Sequence, residues 1–208
     1  MGARQKWQLI QTRLSEIGKS IASVFRHGNT VEALAVGGNH GHSQAAIMNT
    51  LRSLQGLAEA NRDDFERYPE LVLAYEHALN SGLFRYVPDP ETCGLPDCWS
   101  TFKGLYERYP IGPILGDCED FACEHAAYLT VKGKRGLIGL RPGRRIAHAV
   151  CAEESPSSYG KKIPEPVEVI DPSVTFGMER MRSYDDIQWL RVRKRKPAPL
   201  PAHVALRG

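Results

Sequence analysis

The chain has 208 residues, a formal net charge of +3 and a hydrophobic content of 42%. This length suffices for one domain with a buried core and short appendages, and the balanced charge excludes a general polyanion binder. No apolar run is long enough to cross a bilayer, and no secretory signal peptide is recognisable. We therefore expect a cytoplasmic protein with no membrane contact, unless it is carried inside a larger particle.

The first predicted element is a helix over residues 4–26. Its apolar residues recur at alternating steps of three and four, as a narrow seam: Trp7, Ile10, Leu14, Ile17, Ile21 and Val24. About three heptads are marginal for an isolated coiled coil. The seam therefore packs either on the body of the protein or on a partner, including a second copy of this protein.

Two further helices are predicted, over residues 43–60 and 69–81. The glycine-rich stretch before them contains His40 and His42. We interpret it as a turn, with a metal site as the weaker alternative. Residues 1–60 are assigned to an N-terminal helical extension, and the body begins at residue 61.

The body changes its hydrophobic period near Gly133. Before this residue, short helices are predicted over 99–109 and 118–132. After it, alternation with a period of two predicts three strands, over 137–140, 145–152 and 167–171. Helices followed by an antiparallel sheet predict the α+β class.

A cysteine stands at the start of a predicted helix in Gly116-Asp117-Cys118-Glu119-Asp120-Phe121-Ala122, with Asp117 at the N-cap position. The helix N-terminus favours a thiolate, whereas three adjacent carboxylates raise a thiol pKa. An imidazolium, an arginine or a cation would offset them. Asp117, Glu119 and Asp120 are thus candidate Ca²⁺ ligands, and a solvated helix start is the alternative.

Two histidines are candidate bases for this thiol. His125 lies two helical turns from Cys118, about 10.5 Å along the axis, whereas proton transfer needs about 3 Å. His148 lies in a predicted strand, and Asp171 ends the next strand. Cys118, His148 and Asp171 then form a set of nucleophile, base and orienting carboxylate.

An oxyanion hole for such a site would combine the Cys118 backbone N–H with one side-chain donor. The indole N–H of Trp99 is the candidate donor, and the alternative is that Trp99 only fills the core.

Together, the cysteine motif, Ala147-His148-Ala149-Val150 and Val169-Ile170-Asp171-Pro172-Ser173 resemble the bacterial transglutaminase-like cysteine proteinases, within the papain-related transglutaminase-like superfamily. The resemblance covers residues 86–189. It implies a papain-like core over residues 61–190, with a catalytic helix packed on a small antiparallel sheet. It also implies amide-bond cleavage in a protein or peptide through a thioester, no required cofactor, and Ca²⁺ held by Asp117 and Glu119, with Asp120 as a further ligand.

Other outcomes remain open, because this superfamily includes acyl transferases, glutamine deamidases and proteins without catalysis. The predicted first helix and a basic, proline-rich tail over residues 191–208 lie outside the core that the resemblance covers. They favour an assembly context, such as a phage or virion component. The basic run 191–196 would contact an acidic partner or nucleic acid, or remain solvated.

The five cysteines allow one rival site. Cys93 and Cys98 are spaced like Cys118 and Cys123, and four thiolates bind zinc. However, five residues on a helix rotate the last two apart by about 140°, which disfavours that site. We expect Cys93 and Cys98 to form a local disulfide or to be free thiols, and Cys151 to be a small buried hydrophobe.

Overall fold

A computed structural model describes residues 44–88, 99–109, 111–142, 147–181 and 183–193, together with the backbone of two short strands at 23–27 and 30–34. Most of the predicted helix 4–26, both His40 and His42, the Cys93–Cys98 segment and residues 194–208 lie outside the described residues. The predictions for these segments remain predictions.

The described part of the protein alternates helices and strands. In sequence order they are β1 Ser23–His27, β2 Thr30–Leu34, α1 Gln44–Arg67, α2 Pro69–Asn80, β3 Phe84–Tyr86, α3 Phe102–Arg108, β4 Ile114–Gly116, α4 Cys118–Val131, β5 Gly136–Arg141, β6 His148–Glu154, β7 Pro166–Ile170, α5 Pro172–Thr175 and β8 Gln188–Arg191. This mixed composition confirms the α+β class.

The main sheet has four antiparallel strands in the order β7-β6-β5-β8. Residue pairing fixes its register, with Arg141 of β5 opposite His148 of β6, and Cys151 of β6 opposite Ile170 of β7. β3 and β4 form a separate parallel pair, and β1 and β2 form an antiparallel hairpin. β3, β4, β8 and this hairpin were not predicted from the sequence.

Helices α1 and α4 pack together against one face of the main sheet. Their shared core includes Leu51, Leu54 and Leu57 of α1 and Cys118 and Ala122 of α4. The contact between α4 and the sheet is close at Gly136, since a Cβ there would lie 2.1 Å from the Ala126 carbonyl oxygen. The expected boundary at residue 60 falls inside α1, and the buried face of this helix belongs to the core around Cys118.

A second cluster of aromatic rings links α4 to the segment after β7. Phe176 packs on Phe121 and Phe84 with ring centroids 4.8 Å apart in both pairs. Phe121 lies three residues after Cys118, and Phe176 lies five residues after Asp171. Aromatic packing of this kind fixes the two segments relative to each other, and so helps to position the two predicted site residues.

Two expectations need correction. Residues 23–26 of the predicted first helix lie in β1. Val24 and Phe25 are residue types that favour strands. His27 pairs with Thr30, so only Gly28-Asn29 separates the two strands in the sequence. Such a dipeptide is a hairpin signal.

The basic tail also begins later than residue 191. Arg191 is the last residue of β8, and its guanidinium donates to both carboxylate oxygens of the fully buried Glu154 at 2.6–3.0 Å. Val192 is buried, and the Arg193 carbonyl accepts a hydrogen bond from the buried Arg62. These contacts hold residues 191–193 on the domain.

Among the described residues, no helix combines the length and the hydropathy that a bilayer crossing requires.

Candidate active site

Cys118 is the first residue of α4, and β4 leads directly into it through Gly116 and Asp117. Gly116 fits here because a Cβ would lie 3.0 Å from an Asp120 carboxylate oxygen and 3.2 Å from the Phe121 ring. Asp117 occupies the N-cap position with extended backbone, but its side chain makes no capping hydrogen bond. The sulfur therefore lies at the positive end of a 14-residue helix.

The Cys118 S–H donates to Glu119 Oε2 at 2.9 Å. Cys118 also shares a buried core cluster with Ala149, the residue that directly follows His148 in β6. The cluster therefore brings the start of α4 to the strand that carries this histidine.

Three effects hold the pKa of the Cys118 thiol well above its ordinary value. Burial is the largest, since only 8% of the residue is exposed, and the negative charges of Glu119 and Asp117 add to it. The backbone of Ala149 acts in the opposite direction but is outweighed. The resting sulfur is thus a neutral thiol, and it needs a base to become a nucleophile.

Glu119 is the largest electrostatic obstacle to thiolate formation, so Glu119→Gln should lower the pKa of Cys118. We expect the rate of Cys118 alkylation by iodoacetamide at pH 7 to rise about threefold to tenfold, because removing one nearby charge shifts a pKa by roughly 0.5–1 unit. The measurement is the pH–rate profile by mass spectrometry. A slower reaction in this variant would show instead that Glu119 assists deprotonation.

His148 and Asp171 form a direct pair, with 2.8 Å between His148 Nε2 and Asp171 Oδ2. Both side chains are less than one-tenth exposed. The pair forms because β6 and β7 are neighbours in the sheet and Asp171 follows the last residue of β7. Since Nε2 faces the carboxylate, Nδ1 is the ring nitrogen that does not contact Asp171.

Tyr184 is a third member of this group that the sequence analysis did not identify. Its O–H donates to the same Asp171 oxygen at 2.9 Å. Burial raises the pKa of Asp171, but the hydrogen bond and charge of His148, together with the Tyr184 O–H, outweigh it and hold that pKa below its ordinary value. Burial, followed by the hydrogen bond to Asp171 and its charge, raises the pKa of Tyr184 to about 12, so its hydroxyl stays protonated as a donor.

Tyr184→Phe should lower the free energy of unfolding by about 1–2 kcal/mol at pH 7, because the Asp171 carboxylate loses a donor. A depressed carboxylate pKa contributes stability above the unfolded pKa and loses it as the pH falls through the folded pKa. The difference between wild type and variant should therefore shrink toward pH 3. Urea unfolding at both pH values measures it, and a difference that is equal at both would contradict the assigned contact.

The three acidic residues beside Cys118 have different surroundings. Asp120 Oδ1 accepts a hydrogen bond from the Ser100 backbone N–H at 2.8 Å, whereas the ligand atoms of Asp117, Cys118 and Glu119 lie within 4.8 Å of one another. Calcium takes six to eight oxygen ligands, and two protein carboxylates supply only part of that set. A Ca²⁺ site here remains a prediction.

Trp99 is 3% exposed and lies in the same core cluster as Cys118. The hydrogen bond between Ser100 and Asp120 ties the segment that carries Trp99 to the first turn of α4. This position agrees with either predicted role of Trp99, as an oxyanion donor or as core filler.

The remaining histidine and cysteines of the described core have other partners. His125 Nδ1 lies 3.0 Å from the Tyr75 hydroxyl, and burial followed by the charge of Lys134 lowers the His125 pKa to about 4.

The other two cysteines of the described core are buried away from solvent. Cys123 donates to the Leu54 carbonyl, and Cys151 is completely buried, as predicted. The sulfur atoms of Cys118 and Cys123 thus face different groups.

The sequence matches no protein-family model, and it has no significant match among curated proteins.

Proposed function

We propose that this protein is a cysteine hydrolase with a papain-like core that cleaves an amide bond in a protein or peptide. One observation carries the proposal: a cysteine at a helix N-terminus shares a core cluster with the residue next to a histidine, and that histidine is hydrogen bonded to a carboxylate. Nucleophile, base and orienting group in this order are the elements of triad catalysis.

The protonated resting state of Cys118 assigns a specific task to His148. As the sulfur attacks the substrate carbonyl carbon, its proton passes to His148 Nδ1, and Asp171 stabilises the imidazolium through Nε2. His148 then gives the proton to the leaving nitrogen as the C–N bond breaks, which leaves a thioester on Cys118. Water, deprotonated by His148, attacks the thioester and releases the acid, and the sulfur regains its proton.

The N-terminus of α4 supplies the second element of the mechanism. The Cys118 backbone N–H and the helix dipole stabilise the negative oxygen of the tetrahedral intermediate, and the Trp99 indole is the proposed second donor. The chemistry requires no cofactor.

An activated ester tests the proposal without knowledge of the natural substrate. p-Nitrophenyl acetate should give a burst of p-nitrophenol and an acetyl group on Cys118, detected by mass spectrometry after acid quench. His148→Ala should abolish the burst. No acylation of Cys118, or an unchanged burst without His148, would refute the proposal.

Two further measurements distinguish the acyl transferase and glutamine deamidase alternatives. If an added amine captures the acyl group faster than water does, the enzyme is an acyl transferase. Release of ammonia from a glutamine peptide, with its backbone left intact, would identify a deamidase. Both outcomes keep Cys118 as the nucleophile and change only the substrate or the acceptor.

A docking protein without catalysis is the second candidate function. The raised pKa of the Cys118 thiol and its hydrogen bond to Glu119 favour it, because a catalytic thiol is more often activated at rest. In that case the rest of the predicted first helix, residues 4–22, or the basic residues after 193 would contact a partner protein, an acidic surface or nucleic acid in an assembly such as a virion. Absence of acylation together with self-association of the full-length protein would support it.

A further inference from the structure

Arg141 lies directly across the sheet from the proposed base. It is the last residue of β5, and its register partner in β6 is His148. Directly opposed residues of an antiparallel pair point to the same face with Cβ atoms about 5 Å apart. The Arg141 side chain therefore starts next to the imidazole.

The guanidinium of Arg141 has a hydrogen-bond donor without an acceptor. Its Nε is buried and makes no hydrogen bond, and no ion pair among the described residues involves Arg141. The rest of the side chain is only partly buried. Buried N–H donors nearly always have an acceptor, so a ligand that enters the site can supply one.

A second arginine lies near the same group. The positive charge of the exposed Arg180 acts to lower the pKa of Tyr184, against the stronger effects that raise it, and the Tyr184 O–H donates to Asp171. The carboxylates of Asp117 and Glu119 instead surround the sulfur. Charge is thus divided, with negative groups around the nucleophile and arginines near the His148–Asp171 pair.

We propose that Arg141 binds a carboxylate of the substrate beside the bond that is cleaved. The proposal rests on the proposed hydrolase function and specifies its substrate class as peptides with an acidic group next to the scissile amide. The planar fork of Nε and Nη donors matches a carboxylate in a bidentate arrangement. The carboxylate belongs either to an Asp or Glu side chain or to the free C-terminus of a peptide.

Three small probes separate these sources. N-acetyl-aspartate amide has only a side-chain carboxylate, N-acetyl-asparagine has only the terminal one, and N-acetyl-asparagine amide is neutral. Each is titrated into the full-length protein while NMR follows the Arg141 Nε–Hε and Ala149 amide signals. The Arg141 signal is assigned by its loss in Arg141→Lys, a variant that keeps the charge but lacks the guanidinium fork.

We expect a saturable shift of these signals with at least one charged probe and no shift with the neutral probe. In Arg141→Lys, where binding is measured through the Ala149 amide signal, the charged probe should bind at least fivefold more weakly. Arg135→Lys is the matched control, because Arg135 precedes β5 at its other end, about 20 Å away, and should bind the probe like wild type. Response to the side-chain probe alone indicates an internal acidic residue, and response to the terminal probe alone indicates a C-terminal carboxylate.

No shift with either charged probe, or an equal shift with the neutral one, would overturn the assignment of Arg141. Repeating the titration in Cys118→Ala makes the result independent of catalysis. Carboxylate binding without ester acylation would therefore refute the hydrolase function but support the binding site at Arg141. Acylation without carboxylate binding would support the hydrolase function and refute the binding site.

Discussion

Cys118→Ala should abolish acylation by p-nitrophenyl acetate and lower amide hydrolysis by a factor of about 10⁴ or more, because the thioester of the proposed mechanism forms on the Cys118 sulfur. The fold should persist. The sulfur is a small atom at the edge of the core, and its loss removes one thiol beside two carboxylates, so we expect a change of less than about 1 kcal/mol in the free energy of unfolding. Burst kinetics and urea unfolding measure the two quantities.

Cys123→Ala is the matched control on the same helix. Cys123 is completely buried and donates to the Leu54 carbonyl, so its loss should destabilise the protein by about 1–2 kcal/mol through the cavity and the lost contact while acylation continues. If the two variants lost activity in parallel with stability, the effect of Cys118→Ala would reflect folding and the nucleophile assignment would be wrong.

Arg191→Ala should have the largest effect on stability, about 3 kcal/mol at pH 7, because it leaves the fully buried Glu154 carboxylate without its bidentate partner. The hydrogen bonds of Arg191, which act against burial, hold the Glu154 pKa below its ordinary value of 4.5. The contribution is therefore complete above pH 4.5 and disappears as the pH falls through the folded pKa. Urea unfolding from pH 7 to pH 3 should show the difference decrease.

Arg193→Ala is the control for this effect. Arg193 is exposed, and its backbone carbonyl, which the substitution retains, is the group that contacts Arg62. We expect a change within about 0.5 kcal/mol. Equal effects of the two substitutions would mean that residues 191–193 form one solvated basic segment, as the sequence suggested.

Helices with strong local signals were predictable from the sequence. α4 and α2 begin and end within two residues of their predicted limits, because Gly116-Asp117 and Pro69 are clear start signals and both helices have enough apolar residues to show their period. The pairing of His148 with Asp171 followed from the order of two short strands. That inference worked because strands that are consecutive in the sequence are often adjacent in the sheet.

Other features depended on contacts that a single sequence does not display. Tyr184 reaches Asp171 from an irregular segment, and neither its neighbours nor its spacing indicates a role. The proposed role of Arg141 depends on its register with His148. Arg191 was assigned to the tail because it begins a basic run, and only the buried Glu154 37 positions away explains why it ends a strand.

The β1–β2 hairpin was missed for a different reason. The Gly28-Asn29 signal was present, but the apolar seam that precedes it extended the helix prediction as far as residue 26. Local turn chemistry was the better guide here, since a two-residue connection between β-prone segments sets both strands at once.

The pH dependence of Cys118 alkylation by iodoacetamide, compared between wild type and His148→Ala, tests most directly whether His148 is the base for this sulfur. Near neutral pH, wild-type Cys118 should react at least tenfold faster than Cys123 and Cys151, and the variant should lose that advantage, because a thiol with a raised pKa needs a neighbouring base. Slow and equal labelling of all three cysteines, unaffected by the loss of His148, would contradict the enzyme account.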